Sequence, residues 1–363
     1  MERAEIFSFF TALNSYWLDG AVRMLEGARR GVSNYYPLEE DPPGATPFQI
    51  VYSTSRLSLR YYAAQGERRR TPLLLVYALI KRPFILDLLK GRSVVESLNR
   101  QGFDVYLVDW LPPTRRDMRA GFDTYINEEL CAVVSAVAQI SGHDRIDVLG
   151  YCLGGLLAVL WSALYPERVK NLVTLATPIN TEVADNALYS LISKVGDATV
   201  ELITDTYGNC PATLINACFT AVAPIHHLIA KYQELHFNRQ NSRYAAFFEM
   251  FERWINSDVA MAGRFFSELT DRFFRENPLM RQSFELAGDH VDLRRITCPL
   301  LNVVGKHDDV VPPDSSLALI DLVGSTDKHN LIFPTGHVGA AVSAGAHKLL
   351  WPQVGQWLAQ RDQ

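Results

Sequence analysis

The chain has 363 residues, 48% hydrophobic and 21% charged, an ordinary balance for a globular protein and room for one large domain with an insertion or for two domains. Its 35 lysines and arginines against 40 acids leave a net charge of −5, which argues against nucleic-acid binding. The cysteines (131, 152, 210, 218 and 298) form an odd, scattered set with no CxxC pair, so neither a disulfide framework nor a metal site is expected, and the thiols read as free.

In chain order, residues 1–30 read as helical, with Phe7, Phe10, Tyr16, Trp17 and Leu25 among frequent apolar positions. Glu2, Arg3 and Glu5 interrupt what a signal peptide would need. No stretch of about 18 apolar residues is free of charge, so no membrane span is expected and the chain reads as cytoplasmic. "EEDPPGATP" (39–47) is a loop by its proline, glycine and acid content, and closes an N-terminal segment, 1–45. "FQIVYS" and "LSLRYYA" then read as a strand pair. Continuous apolar runs follow at 73–79, 104–110, 145–152 and 169–178, separated by helical patterns at 92–102, 123–141 and 154–165. Such runs suit strands buried on both faces, and their alternation with helices predicts an α/β fold with a mostly parallel sheet.

After Pro178 the rhythm stops. Residues 179–290 are helical in pattern and rich in aromatics, as in "RYAAFFEMFERWINSD" and "GRFFSELTDRFFREN". Strand–helix alternation returns with "CPLLNVVGKHD" (298–308), a helix near 314–323, "HNLIFPTGH" (329–337) and a final helix. The economical division is a core of 46–178 and 291–363 carrying a helical cap, 179–290, because the last stretch alone has too few strands for its own core.

Gly150-Tyr151-Cys152-Leu153-Gly154 lies where a strand runs into a helix. This is the G-x-S-x-G form of a nucleophile elbow with cysteine in place of serine. Side chains at 150 or 154 would collide in so tight a turn, and Gly155 lets the helix approach the sheet. A helix N-terminus and an adjacent base both favour a thiolate. The base and its orienting acid should follow in the order nucleophile, acid, histidine. "NVVGKHDDVVPP" ends one strand with Asp308 and Asp309, and "FPTGHVG" ends the next with His337. Asp308 is preferred because it leaves the strand first, although spacing leaves Asp309 open. Backbone donors for an oxyanion are expected at Leu153 and, after the 73–79 strand, near Ile80.

GYCLGG, "VYALIKRPFILDL" (76–88), "GFDVYLVDW" (102–110), "GNCPATLIN" (208–216) and "FPTGHVG" together resemble polyhydroxyalkanoate synthases, from about residue 47 to the C-terminus. The resemblance implies an α/β-hydrolase fold and polymerisation of (R)-3-hydroxyacyl-CoA into polyester with release of CoA. It carries the family's nucleophile, aspartate and histidine onto Cys152, Asp308 and His337. The length resembles the short two-subunit synthases (class III or class IV), which implies a second, non-catalytic subunit, a homodimer and residence on cytoplasmic polyester granules. No cofactor or metal is implied, since the CoA thioester is the substrate. "LPPTRRDMRAG" (111–121) departs from the glycine expected soon after the Asp-Trp pair. An acyl-CoA thioesterase or carboxylic-ester hydrolase, a polyester depolymerase, and a non-catalytic granule scaffold on the same fold are the competing readings. Among lesser features, "GERRR" (66–70), Lys81 and Arg82 could attract CoA phosphates, and Trp254 could serve a dimer interface or simply a core.

Overall fold

A computed structural model describes residues 44–184, 186–222, 237–238 and 240–362; the expected N-terminal helix of 1–45 lies outside them. The central sheet contains β1 (Gln49–Ser53), β2 (Leu57–Tyr62), β3 (Leu73–Val76), β4 (Val105–Trp110), β5 (Ile146–Tyr151), β6 (Val169–Leu175), β7 (Leu300–Gly305) and β8 (Lys328–Phe333). Every residue of β3, β4, β5 and β7 is buried, as their unbroken apolar runs require of strands covered on both faces. The edge strands β1 and β8 are largely exposed or half-buried.

The strands lie in the order β1-β2-β4-β3-β5-β6-β7-β8. β1 and β2 pair antiparallel and β2 runs antiparallel to β4; from β4 to β8 all neighbours are parallel. From β3 the chain moves outward to β4, then crosses back to β5 on the other side of β3. That reversal leaves a crevice beyond the carboxyl ends of β3 and β5, the place where open α/β sheets bind ligands. The register fixes its walls, since Val76 lies opposite both Val108 and Gly150. The loop after β3 and the turn after β5 therefore emerge side by side.

β3 is shorter than its apolar run. The strand stops at Val76, and Tyr77, Ala78 and Leu79 stay buried while leaving the sheet. Helices α1 (Val94–Asn99), α2 (Cys131–Ser141) and α3 (Leu153–Leu164) follow their strands. Ser93 caps α1 by accepting from the Glu96 amide, and a π-helical turn, Thr124–Leu130, leads into α2. After β8 the chain closes with α4 (Trp351–Ala359).

Residues 176–299, between the neighbouring parallel strands β6 and β7, carry helices Ala187–Ser193, Asp197–Tyr207, Ala212–Val222, Ser242–Ile255 and Gly263–Ser267 and a π-helical turn, Glu268–Phe274. By contacts the chain forms two units: residues 1–42 with 223–249, and residues 43–222 with 250–363. The described part of the first is mainly the start of the Ser242–Ile255 helix; the sheet and the site below belong to the second. Among the described residues no helix is long and apolar enough to cross a membrane.

Candidate active site

Cys152 stands between β5 and α3 with φ 56° and ψ −125°, a left-handed backbone that side chains rarely adopt and that stores about 1–3 kcal/mol of strain. The surrounding glycines make the turn possible. A Cβ on Gly150 would stand 2.5 Å from the Gly155 Cα, and one on Gly154 would collide with the Val76 carbonyl oxygen and lie 2.5 Å from the Tyr77 carbonyl carbon. The elbow is thus pressed onto the end of β3. Leu153 opens α3, so its N–H is one of the terminal amides without an acceptor in its own helix.

His337 and Asp308 arrive from the loops after β8 and β7. His337 Nδ1 lies 2.7 Å from Asp308 Oδ2, and the other carboxylate oxygen accepts from the amides of Val310 (3.0 Å) and Val311 (2.8 Å). Those bonds hold a side chain that is 1% exposed. Asp309 makes no such contact: its residue is exposed, and its backbone carbonyl accepts from Asn186 Nδ2 at 2.8 Å. Between the two neighbours that spacing left open, the structure brings Asp308 to the histidine.

Burial disfavours a charged His337 ring. The Asp308 carboxylate, hydrogen-bonded to the ring, and the negative charge of the Cys152 sulfur outweigh that burial and hold its pKa well above the ordinary histidine value. Cys152, Asp308 and His337, far apart in sequence, thus meet at one strand edge.

Aromatic residues that sequence reading missed surround this trio. Tyr151 stacks on His337, with ring centroids 5.2 Å apart, and its hydroxyl donates to the His337 carbonyl at 3.1 Å. Tyr77 packs on Tyr151 at 5.7 Å, and Tyr189, from the inserted helix Ala187–Ser193, shares a hydrogen bond with Ser315. Burial pushes all three phenols up, and each also feels the charge of Cys152. They are neutral walls. The only local signal was that Tyr151 sits inside the elbow motif; Tyr77 and Tyr189 carry no motif of their own.

Three sequence expectations need correction. Lys81 and Arg82 do not offer free charge to a phosphate: Lys81 pairs with Asp258, and Arg82 pairs with Asp109 and donates to the Trp110 carbonyl. Both side chains are largely buried, because acids on adjoining segments reach them first. "GERRR" precedes β3, at the strand edge opposite Cys152, where Arg68 pairs with Asp104. Trp254 is 8% exposed, which removes it from a dimer interface, and its indole N–H donates to the Tyr77 hydroxyl and the Arg82 carbonyl. Ile80 is half-buried, and its carbonyl accepts from the Val259 amide at 3.1 Å. Among the described residues no cluster of three or more His, Cys, Asp or Glu side chains could hold a metal ion.

Residues 71–342 match the alpha/beta hydrolase fold family. Among solved structures, a monoacylglycerol lipase of Paleococcus ferrophilus aligns over 84% of this chain and 99% of its own (TM-score 0.51, 17% identity). A thermophilic esterase of Thermogutta terrifontis aligns over 88% and 100% (TM-score 0.51, 13% identity). These likenesses establish the fold. The poly(3-hydroxyalkanoate) polymerase subunit PhaC of Allochromatium vinosum is 36% identical over 344 residues, 93% of this chain and 96% of that protein. This chain belongs to the PhaC family. The PhaC subunit of Haloferax mediterranei is also 36% identical, over 88% of this chain and 65% of that protein, and the one from Synechocystis is 31% identical over 92% and 90%. The chain thus spans nearly the whole of the Allochromatium subunit but about two thirds of the Haloferax one.

Proposed function

We infer that this chain is the catalytic subunit of a poly(3-hydroxyalkanoate) polymerase, and that it polymerises (R)-3-hydroxyacyl-CoA, with 3-hydroxybutyryl-CoA as the short-chain substrate. The observation that carries the reading is the His337 ring, hydrogen-bonded to buried Asp308 and raised in pKa by both that carboxylate and the sulfur of Cys152, itself held on a strained elbow.

Cys152 is the nucleophile. His337 takes the thiol proton, and the thiolate attacks the thioester carbonyl of the substrate. The oxyanion is met by the Leu153 amide and by an amide of the loop after β3, assigned to Ile80. CoA leaves as a thiol when His337 returns the proton, and the acyl group remains on Cys152 as a thioester. Exchange of one thioester for another is close to balanced, which suits a group to be handed on. In elongation His337, oriented by Asp308, removes the proton from a 3-hydroxyl group, whose oxygen attacks an acyl thioester; the C–S bond breaks and the expelled sulfur takes the proton back from His337 as a thiol. Water at that step would give a free acid. The buried rings of Tyr77, Tyr151 and Tyr189 around the thiol support the view that water is kept out.

A second, non-catalytic subunit completes the reading, supported by the relatives' name of polymerase subunit, and a homodimer resident on polyester granules is proposed with it. CoA release, free acid and insoluble polymer, measured together on purified protein with 3-hydroxybutyryl-CoA, test it. Polymer with little free acid is expected; stoichiometric free acid would make the chain a thioesterase, and no CoA release a scaffold. Activity should start with a lag and rise at least about tenfold when a small helical partner subunit is co-expressed, a coupling of about 1.4 kcal/mol. Light scattering reads the oligomeric state, and full lag-free activity of the lone chain would remove the two-subunit reading.

A further inference from the structure

The loop Tyr77–Arg82, which bears the second oxyanion donor in the reading above, is held from two directions. From the sheet, Trp110 Nε1 donates to the Tyr77 carbonyl at 2.9 Å, and Arg82 reaches back to Asp109 and the Trp110 carbonyl. From the inserted segment comes a denser set of contacts. Trp254 Nε1 donates to both the Tyr77 hydroxyl (3.2 Å) and the Arg82 carbonyl (3.1 Å), tying the two ends of the loop to one indole. The Val259 amide donates to the Ile80 carbonyl, and Lys81 and Asp258 face each other in an antiparallel bridge. The Lys81 ammonium donates to the Asp258 carboxylate and the Ile255 carbonyl, and lies 5.7 Å from the centre of the Trp254 ring. Every residue from Trp254 to Val259 in this set belongs to the same unit as the loop.

A loop outside the sheet ladder gets no backbone partners from neighbouring strands of the sheet, so contacts from elsewhere must fix its amides. An oxyanion donor is useful only if its hydrogen lies where charge will develop, and displacement of about 1 Å can cost about 100-fold. We propose that Trp254 and Asp258 are positioning residues that set the oxyanion-binding amide of the Tyr77–Arg82 loop, so that the inserted segment, and not the sheet alone, completes the electrophilic half of the site. The proposal rests on the acyl-cysteine reading, and its test separates the two.

Two reactions of Cys152 divide the roles. Acylation by 3-hydroxybutyryl-CoA builds an oxyanion; alkylation by iodoacetamide displaces iodide at a saturated carbon and builds none. Trp254→Phe keeps the ring but removes the indole N–H, and Asp258→Asn removes the charge facing Lys81. Each should slow single-turnover acylation by about 10- to 100-fold while alkylation stays within about twofold of the unaltered protein. Unchanged acylation in both variants overturns the proposal. So does an equal fall in both reactions, which would mean general disturbance of the site. His337→Ala, run beside them, addresses the underlying reading: acylation that survives it sinks the base assignment, whatever the other variants do. If Trp254→Phe does not fold, Asp258→Asn decides the matter alone.

Discussion

The two edges of the sheet use polar groups in opposite ways. At the carboxyl edge of β5, β7 and β8, the hydrogen bonds form a line with an open end: the Val310 and Val311 amides to Asp308, then Asp308 to His337, whose ring also feels the charge of the Cys152 sulfur. At the amino edge they close on themselves. There Asp362 accepts from the Arg70 and Thr71 amides, each at 2.9 Å, and Asp147 on β5 accepts from Asn171 on β6 at 2.7 Å. In the loops that enter β4 and β5 at the amino edge, positive φ falls on glycines, Gly102 and Gly142, whereas the carboxyl edge holds a cysteine at positive φ. In the proposed reading the open line, which leads to a strained thiol, does the chemistry; the closed one ties the sheet and the C-terminus together.

The sharpest break of that contrast is Cys152→Ala, which should abolish CoA release while far-ultraviolet circular dichroism and the melting temperature stay near those of the unaltered protein. Retention of more than a few percent of activity by purified mutant would falsify the nucleophile assignment. Cys152→Ser should be nearly as inactive, because a hydroxyl is far harder to ionise than a thiol.

One step back along the line, Asp308→Asn should spare slow acylation of Cys152 but stall chain growth, since a thiol needs less help from the base than a 3-hydroxyl does. Single-turnover acylation beside steady-state CoA release reads the difference, and equal losses in both would remove a special role in elongation. Asp309→Asn should change neither by more than about twofold, its side chain being outside the line.

The smallest effect belongs to the amino edge. Burial raises the Asp147 carboxyl from its ordinary value to about 7, against relief from Asn171 and Lys170, and its second oxygen has no hydrogen-bond partner. The native state therefore holds this proton more tightly than the unfolded chain does. Stability linked to it is complete below about pH 4 and is lost as pH rises through about 7. Asp147→Asn should accordingly raise the melting temperature by about 2 °C or more at pH 8 and much less at pH 5, with polymerisation untouched. A gain of the same size at both pH values would show that titration is not the cause.

Much of the reactive line was legible because its parts obey local rules. The elbow needs glycines at fixed spacing around Cys152, and parallel strands in a switch-point fold deliver their loops to one edge, so Asp308 and His337 stood out as polar residues at strand ends. What spacing left open between Asp308 and Asp309 was settled by the amides of Val310 and Val311, which a turn aims at one carboxylate and not its neighbour. The clamp on the loop after β3 was illegible for a different reason. Trp254 and Tyr77 meet across 177 residues of sequence, and nothing near either residue marks the pairing. For the same reason Lys81 and Arg82 looked like free cations; their acids, Asp258 and Asp109, come from other segments. The end of β3 at Val76, three residues before its apolar run ends, also reflects tertiary demand: Tyr77 to Leu79 are buried against the site instead of pairing in the sheet.

The placement of the 176–299 segment between adjacent strands also bears on when the site comes into being. β3 to β6 are joined by shorter crossovers, and the elbow with Cys152 lies wholly within that stretch. β7 must find β6 across roughly a third of the chain, a closure that costs only about 2 kcal/mol more than the 152–168 crossover but is slow, because distant contacts must form before they stabilise anything. Asp308 and His337 ride on that late arrival. On a growing chain the thiol is therefore expected to exist before its base does, and to stay chemically silent until the last strands dock.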